Sequence, residues 1–278
     1  MKERILDHKQ VLDLLPDRDP WAHKGEFGRV LLLCGSRGYT GAAALAAMGC
    51  LRCGAGLVYA AVPECIYPIM AVKLTEPVVL PFPSDGDTFS ANAREVASTY
   101  LEKMDAVLIG SGMGQSEGTL ALLELVMKQY SGPVIVDADG INLLSQHKNL
   151  LRERKATTIL TPHLGEYQRI CDGISADAIR FAAEYGCILV LKGHETLITD
   201  GEECYRNLTG NPGMAVGGSG DVLAGMIAGL VGQGIAPIKA AAVGVWLHGA
   251  AGDLSAQRLG QYAMLPTDLL EDLPRLLK

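Results

Sequence analysis

Residues 29–36 read RVLLLCGS, a run of apolar residues closed by Gly35 and Ser36. A strand with one face in water alternates apolar and polar residues, and this one does not, so both of its faces are predicted to be covered. The same signature recurs in LVYAAVP (57–63), AVLIGSG (106–112), PVIVDAD (133–139), TTILTPH (157–163) and CILVLKG (187–193). The stretches between them have helical character, as in YTGAAALAA (39–47). Continuous apolar strands alternating with helices predict an α/β fold, with a mainly parallel sheet built from right-handed crossovers. After the sixth run, TLITDGEECYR (196–206) places two short strand-like pieces about Asp200-Gly201 and predicts a β-hairpin. From Asp221 onward the chain reads as helix, through PIKAAAVGVWLHGAAGDLSAQ (237–257) and PTDLLEDLPRLLK (266–278). No linker, repeat or low-complexity segment interrupts it, so residues 1–278 are expected to form a single domain.

In a parallel sheet, ligands gather at the carboxyl ends of the strands. Here those ends read GSRGYTG, GSGMG, DADGIN, TPHLGE and KGHET, which concentrates Gly, Asp, His, Glu and Lys at one edge. A net charge of −7 gives no general attraction for nucleic acid or for acidic membrane surfaces, so an anionic ligand needs a local site. Seven cysteines, an odd number, do not suggest a disulfide framework, and MKERILDHKQ lacks the apolar stretch of a signal peptide; a cytoplasmic location is expected. Val222 to Pro237 carries no charge, but repeated glycines and a terminal proline favour a buried helix over a membrane span. Cys50 and Cys53 form a CxxC pair without the further ligands a zinc site needs.

The strongest functional signal is NPGMAVGGSGD (211–221), which runs into the helical VLAGMIAGL. Glycines in front of a helix start expose backbone amides to phosphate oxygens, and Asp221 would stand beside that anion as a base for an attacking hydroxyl. The bland alternative is an N-cap by Ser219, with Asp221 favouring the helix dipole. A Walker A loop is excluded because Met226 and Ile227 occupy the positions of its Lys and Ser/Thr, and neither GSRGYTG nor GSGMGQ completes GxGxxG. His163 and Glu166 could hold substrate or a phosphate-bound magnesium, and Lys192 could offer a charge to phosphate or be an ordinary surface lysine. Asp137 and Asp139 could bind magnesium or substrate hydroxyls or cap the next helix, the cap being favoured for Asp139. His23, Lys24, Gly25 and Gly28 could form an anion-facing lip or an ordinary turn, and His248 is expected to be a core histidine.

Taken together, HKGEFGRVLLLCGS, YTGAAALAA, LIGSGMG, DADGIN, LTPHLGE, LVLKGHET, GNPGMAVGGSGD and WLHGAAGD resemble the NAD(P)H-hydrate dehydratase family of the ribokinase-like superfamily, over nearly the whole chain. The resemblance implies a three-layer α/β/α sandwich with its hairpin near a nucleotide site. It implies ADP-dependent dehydration of the S form of hydrated NADH or NADPH, releasing AMP and phosphate, with Mg2+ as cofactor and ATP as the donor of eukaryotic relatives. Asp221 is then the base, and Gly218, Ser219 and Gly220 the anion hole. Ala42, Gly112, His163 and Asp221 contact the hydrate; Lys192, Gly193, His194, Glu195, Thr196 and Gly220 line the nucleotide. Glu166 organises magnesium indirectly. The chain departs from the family pattern at Val216 and Ser219, where Thr is common. The resemblance further implies a stand-alone bacterial-type enzyme, a homo-oligomer with the tetramer as its expected form, and a separate epimerase as functional partner. The rival readings are a kinase of a vitamin precursor and a nucleotide sensor without turnover.

Overall fold

The computed structural model describes residues 2–171 and 177–278. Its strands are β1 (Arg29–Leu33), β2 (Leu57–Pro63), β3 (Val78–Phe82), β4 (Ser84–Asp85), β5 (Thr88–Phe89), β6 (Ala106–Ile109), β7 (Val134–Val136), β8 (Thr158–Leu160), β9 (Ile188–Leu191), β10 (Leu197–Thr199) and β11 (Cys204–Arg206). Nine of them form one sheet in the order β11-β10-β9-β8-β7-β6-β1-β2-β3, parallel from β9 to β3, with β10 and β11 antiparallel at one end. All six predicted apolar runs are strands, and Asp200-Gly201 turns the predicted hairpin. Absent from the prediction are the short β4-β5 pair, which forms its own two-stranded sheet, and one strand of the main sheet, β3, whose VVLPF carries Pro81 and follows Pro77. A proline supplies no ladder donor and is tolerated there because β3 is an edge strand.

Alternate residues of each strand feed two separate cores, which is why the runs lack polar positions. Val30, Leu32, Ala106, Leu108, Ile135 and Ile159 face one layer; Leu31, Leu33, Val107, Ile109, Val134 and Val136 face the other. The first layer contains α1 (His8–Asp13), α2 (Thr40–Arg52), α3 (Tyr67–Lys73), α10 (Ser219–Gly232), α11 (Pro237–Leu259) and α12 (Pro266–Asp272). The second contains α4 (Ala93–Leu101), α5 (Glu117–Gln129), α6 (Asp139–Gln146), α7 (Asn149–Glu153), α8 (Leu164–Cys171) and α9 (Ala178–Tyr185). The result is the expected α/β/α sandwich. No helix among the described residues is long and apolar enough to cross a membrane, and α10, which carries the uncharged run, is buried along nearly its whole length.

Strand order reverses beside β1: the chain winds to β2 and β3 on one side, then returns to β6 on the other. Such a switch point opens a crevice at the strands' carboxyl ends. Two helices with glycines at their contact line it. A Cβ on Gly49 of α2 would lie 2.6 Å from the Val222 carbonyl, and one on Gly225 of α10 would overlap the Ala46 carbonyl. Gly229 meets Cys50 in the same way, so the pairs Ala46–Gly225 and Cys50–Gly229 run in register and the helices are parallel. Because both contacts are with backbone, Gly225→Ala must push the helices apart, at an expected cost of about 1–3 kcal/mol. Chemical denaturation would measure this, and an unchanged midpoint would refute the close approach.

Candidate functional site

The carboxyl ends of β1, β6, β7, β8 and β9, neighbours in the sheet, deliver the candidate residues to one crevice. At the switch point the loops are stitched together: Gly35 N–H donates to the Ser111 carbonyl (2.9 Å) and Ser36 Oγ to the Gly112 carbonyl (2.8 Å). Ala42, in the first turn of α2, and Gly112 face each other so closely that a Cβ on Gly112 would stand 2.7 Å from that of Ala42.

The glycine-rich run has two halves with different work. Its first half is a brace: Gly210 N–H and Asn211 Nδ2 donate to the two carboxylate oxygens of Asp253 on α11 (2.9 and 3.0 Å), and Asn211 Oδ1 accepts from Gly213 N–H (3.0 Å). Its second half starts α10. Gly218 has φ +100°, a left-handed conformation natural to glycine, and it is the N-cap. Ser219 is therefore not the cap. Its N–H donates to the Val216 carbonyl (3.3 Å), and its hydroxyl turns inward to share a 3.2 Å hydrogen bond with His248 Nε2. Burial pushes His248 down to about 4, so this ring is a neutral core group. The next helical bond runs from Val222 N–H to the Gly218 carbonyl, so the Gly220 and Asp221 amides have no partner among the described residues. Two unpaired amides at a helix start form an anion-binding edge.

Facing that edge are Asp221 and Lys192. Burial, and after it the charge of Asp137, push the Asp221 carboxyl up to about 7, against the opposing pull of Lys192 and the Ser111 hydroxyl. A Cβ on Gly220 would lie 3.2 Å from Lys192 Nζ, which places the ammonium directly under the helix start. Burial disfavours that charge, but Asp137, Glu166 and Asp221 together outweigh it and hold Lys192 above the ordinary lysine value. Asp137 lies behind both groups, 1% exposed, and accepts from Thr161 Oγ1 (2.7 Å), Lys192 Nζ (3.0 Å) and Ser111 Oγ (3.1 Å). The DADGIN stretch carries no sign of such burial, because a carboxylate after a strand reads as a cap or a ligand.

His163 and Glu166 cap α8 reciprocally. Gly165 and Glu166 N–H donate to His163 Nδ1 (3.0 and 3.3 Å), while the Glu166 carboxylate accepts from His163 N–H (2.9 Å). His163 is exposed at the mouth; Glu166 is buried with one oxygen so engaged. Lys192 N–H donates to the Pro162 carbonyl (2.8 Å), joining this cap to the KGHET turn, where Thr196 Oγ1 donates to the Gly193 carbonyl (3.0 Å). His194 is exposed, and Glu195, at φ +56°, is held by Arg206 through its carbonyl (3.3 Å). Asp139 does not cap its own helix; its carboxylate accepts from Gly114 N–H (2.9 Å) and pins the GSGMG loop. The HKGEFG stretch is a turn far from this edge. Gly28 packs on the Gly232 carbonyl at the opposite end of α10, about 16 Å from Asp221 by helix rise. Among the described residues no three His, Cys, Asp or Glu side chains converge as a metal cage, and Cys50 and Cys53 are buried free thiols.

The chain is similar to proteins of a known family. The family model described as NAD(P)H-hydrate dehydratase matches residues 30–275. A bifunctional NAD(P)H-hydrate repair enzyme of Moorella thermoacetica is 42% identical over 99% of the chain, and the chain spans about half the length of that relative (54%). An ADP-dependent (S)-NAD(P)H-hydrate dehydratase of Listeria monocytogenes is 34% identical, covering 97% of the chain and 95% of its own length. The crystal structure of an ADP/ATP-dependent NAD(P)H-hydrate dehydratase from Bacillus subtilis, co-crystallised with ATP/Mg2+, superposes with a TM-score of 0.83 at 30% identity over 99% of this chain and 98% of that one. Sequence motifs, fold and relatives agree: the chain belongs to the NAD(P)H-hydrate dehydratase family.

Proposed function

We propose that the chain dehydrates the S form of hydrated NADH or NADPH at the expense of ADP, restoring the reduced dinucleotide and releasing AMP and phosphate. The observation that carries this reading is a half-buried carboxyl raised to about 7, Asp221, beside unpaired helix-start amides and the half-buried ammonium of Lys192. Asp221 accepts the proton of the ring hydroxyl as that oxygen attacks the donor's terminal phosphorus. The Gly220 and Asp221 amides and Lys192 stabilise the charge on the transferring phosphoryl group, with Gly218 shaping the hole and Ser219 anchoring it through His248. AMP leaves, and the hydroxyl has become a phosphate ester. The ring nitrogen's electron pair then expels phosphate, and loss of a proton from the adjacent carbon completes the double bond.

Ala42, Gly112 and His163 contact the hydrate in this reading, and Lys192 to Thr196 with Gly220 line the nucleotide. The donor set fits Mg2+, which accepts one or two carboxylates and otherwise takes water and phosphate oxygens; Glu166 would hold it through that outer sphere. When bound it neutralises phosphate charge. The ADP-dependent Listeria relative and the ATP/Mg2+ complex of the Bacillus protein support the nucleotide requirement. A cytoplasmic homo-oligomer working together with an NAD(P)H-hydrate epimerase activity completes the proposal, and bifunctional relatives of about twice the length fit such a pairing.

The test is turnover of purified S-hydrate with Mg2+ and either ADP or ATP. Recovery of reduced-nicotinamide absorbance with stoichiometric AMP from ADP is the expected result. No recovery with either nucleotide would sink the reading, and a stable phosphorylated product would replace it with simple kinase activity.

A further inference from the structure

Asp137 reaches neither the unpaired amides nor the crevice, yet it is the most completely enclosed charge at the site, 1% exposed. Its oxygens are occupied. Oδ1 accepts from Thr161 Oγ1 at 2.7 Å and Lys192 Nζ at 3.0 Å, and Oδ2 accepts from the fully buried Ser111 hydroxyl at 3.1 Å. With those donors in place it is not a free ligand for a metal, and it caps no helix. Two of the groups it holds also face Asp221: the ammonium of Lys192 and the hydroxyl of Ser111. A lysine on a flexible four-carbon stem is a poorly placed point charge unless something fixes it.

We propose that Asp137 is the positioning residue of the phosphoryl-transfer site: from full burial it fixes the Lys192 ammonium beneath the helix start that carries Asp221, and sets the charge that Asp221 faces. This rests on the assignment of Asp221 as base, but it concerns electrostatics that exist in the resting protein. The groups facing Asp221 are Asp137 at the end of β7, Asp139 at the start of α6, Lys192 at the end of β9, the Ser111 hydroxyl after β6 and the buried Cys34 thiol after β1. Glu166 reaches this set through Lys192. Of the charged neighbours, Asp137 acts most strongly and raises the carboxyl; Lys192 opposes it more weakly, and the Ser111 hydroxyl also opposes it. Removing the Asp137 charge therefore lowers the Asp221 titration midpoint even if Lys192 swings away, whereas removing the Ser111 hydroxyl raises it.

The experiment is 13C NMR of protein labelled at aspartate carboxyl carbons, with the Asp221 signal assigned by its loss in Asp221→Asn. In Asp137→Asn the Asp221 midpoint should fall by about 1–3 pH units, and in Ser111→Ala it should rise. These opposite shifts are not what a merely structural role would give. Where the hydrate is turned over, the acid limb of kcat/KM in Asp137→Asn should move down in parallel, with a several-fold lower plateau because a weaker base remains. An unmoved Asp221 midpoint in folded Asp137→Asn overturns the proposal, as does a shift of the same sign in both variants. If Asp137→Asn does not fold, Thr161→Val decides: it removes a donor to Asp137 without touching a group that faces Asp221, so the Asp221 midpoint should rise, and an unmoved midpoint overturns the proposal. Because the titration needs no substrate, its outcome is separate from whether the hydrate is the substrate at all.

Discussion

Asp221→Asn is expected to lower kcat/KM for the hydrate by about 10²- to 10⁴-fold while nucleotide affinity is kept, because the amide occupies the same space but cannot take the hydroxyl proton. The wild-type profile should rise with pH and level off above about 7, where Asp221 is deprotonated. The same substitution should stabilise the fold at high pH. The carboxyl titrates at about 7 in the folded chain against an ordinary aspartate value of 3.8 in the unfolded one, so between these values the folded state holds a proton that the unfolded state has released. Stability associated with this group is therefore full below about 4 and lost as the pH rises through 7. At 1.36 kcal/mol per unit, the charged form costs up to about 4 kcal/mol, which the asparagine does not incur. Melting temperatures should favour Asp221→Asn at pH 8, with the gap closing toward pH 4. Retained turnover, or a gap of opposite sign, would remove Asp221 from the mechanism.

Lys192→Met should produce the largest loss of stability at the site. It leaves Asp137 ionised and enclosed with only two hydroxyl donors, and breaking a buried pair from one side costs about 3–5 kcal/mol. Replacing both charges, in Lys192→Met with Asp137→Asn, should recover much of that loss without recovering turnover, since the ammonium next to Gly220 is still missing. Urea denaturation of the single and double variants is the measurement. A loss below about 1 kcal/mol in the single variant would show that water reaches Asp137.

Much of this molecule is legible in its residues because the deciding signals are local. Six apolar runs without alternation announce strands covered on both faces, and Asp200-Gly201 announces the hairpin. What escapes depends on tertiary neighbours. β3 is hidden by prolines that only an edge position tolerates. HKGEFG sits close to RVLLLCGS in sequence but lies at the amino end of β1, away from the crevice. The serine of GGSGD looks like a cap because serine usually is one, and the partner that turns its hydroxyl inward, His248, is 29 residues away. Asp139 looks like a cap for its own helix, and its carboxylate instead holds Gly114 in the loop after the neighbouring strand. Asp137 gives the least warning, since its enclosure is produced by Thr161 and Lys192 from two other strands.

The glycine contact between α2 and α10 has an electrostatic consequence. The two helices run parallel with backbones nearly touching, and both begin at the crevice, one at Thr40 and the other at Ser219. Each helix start carries roughly half a positive elementary charge from its aligned peptide dipoles. Side by side and pointing the same way, they repel each other, and glycine packing holds that repulsion in place. The chain, acidic overall at −7 and with Asp137, Asp139, Glu166 and Asp221 at this same edge, thereby keeps beside those carboxylates a positive contribution that is built from main chain and does not itself titrate.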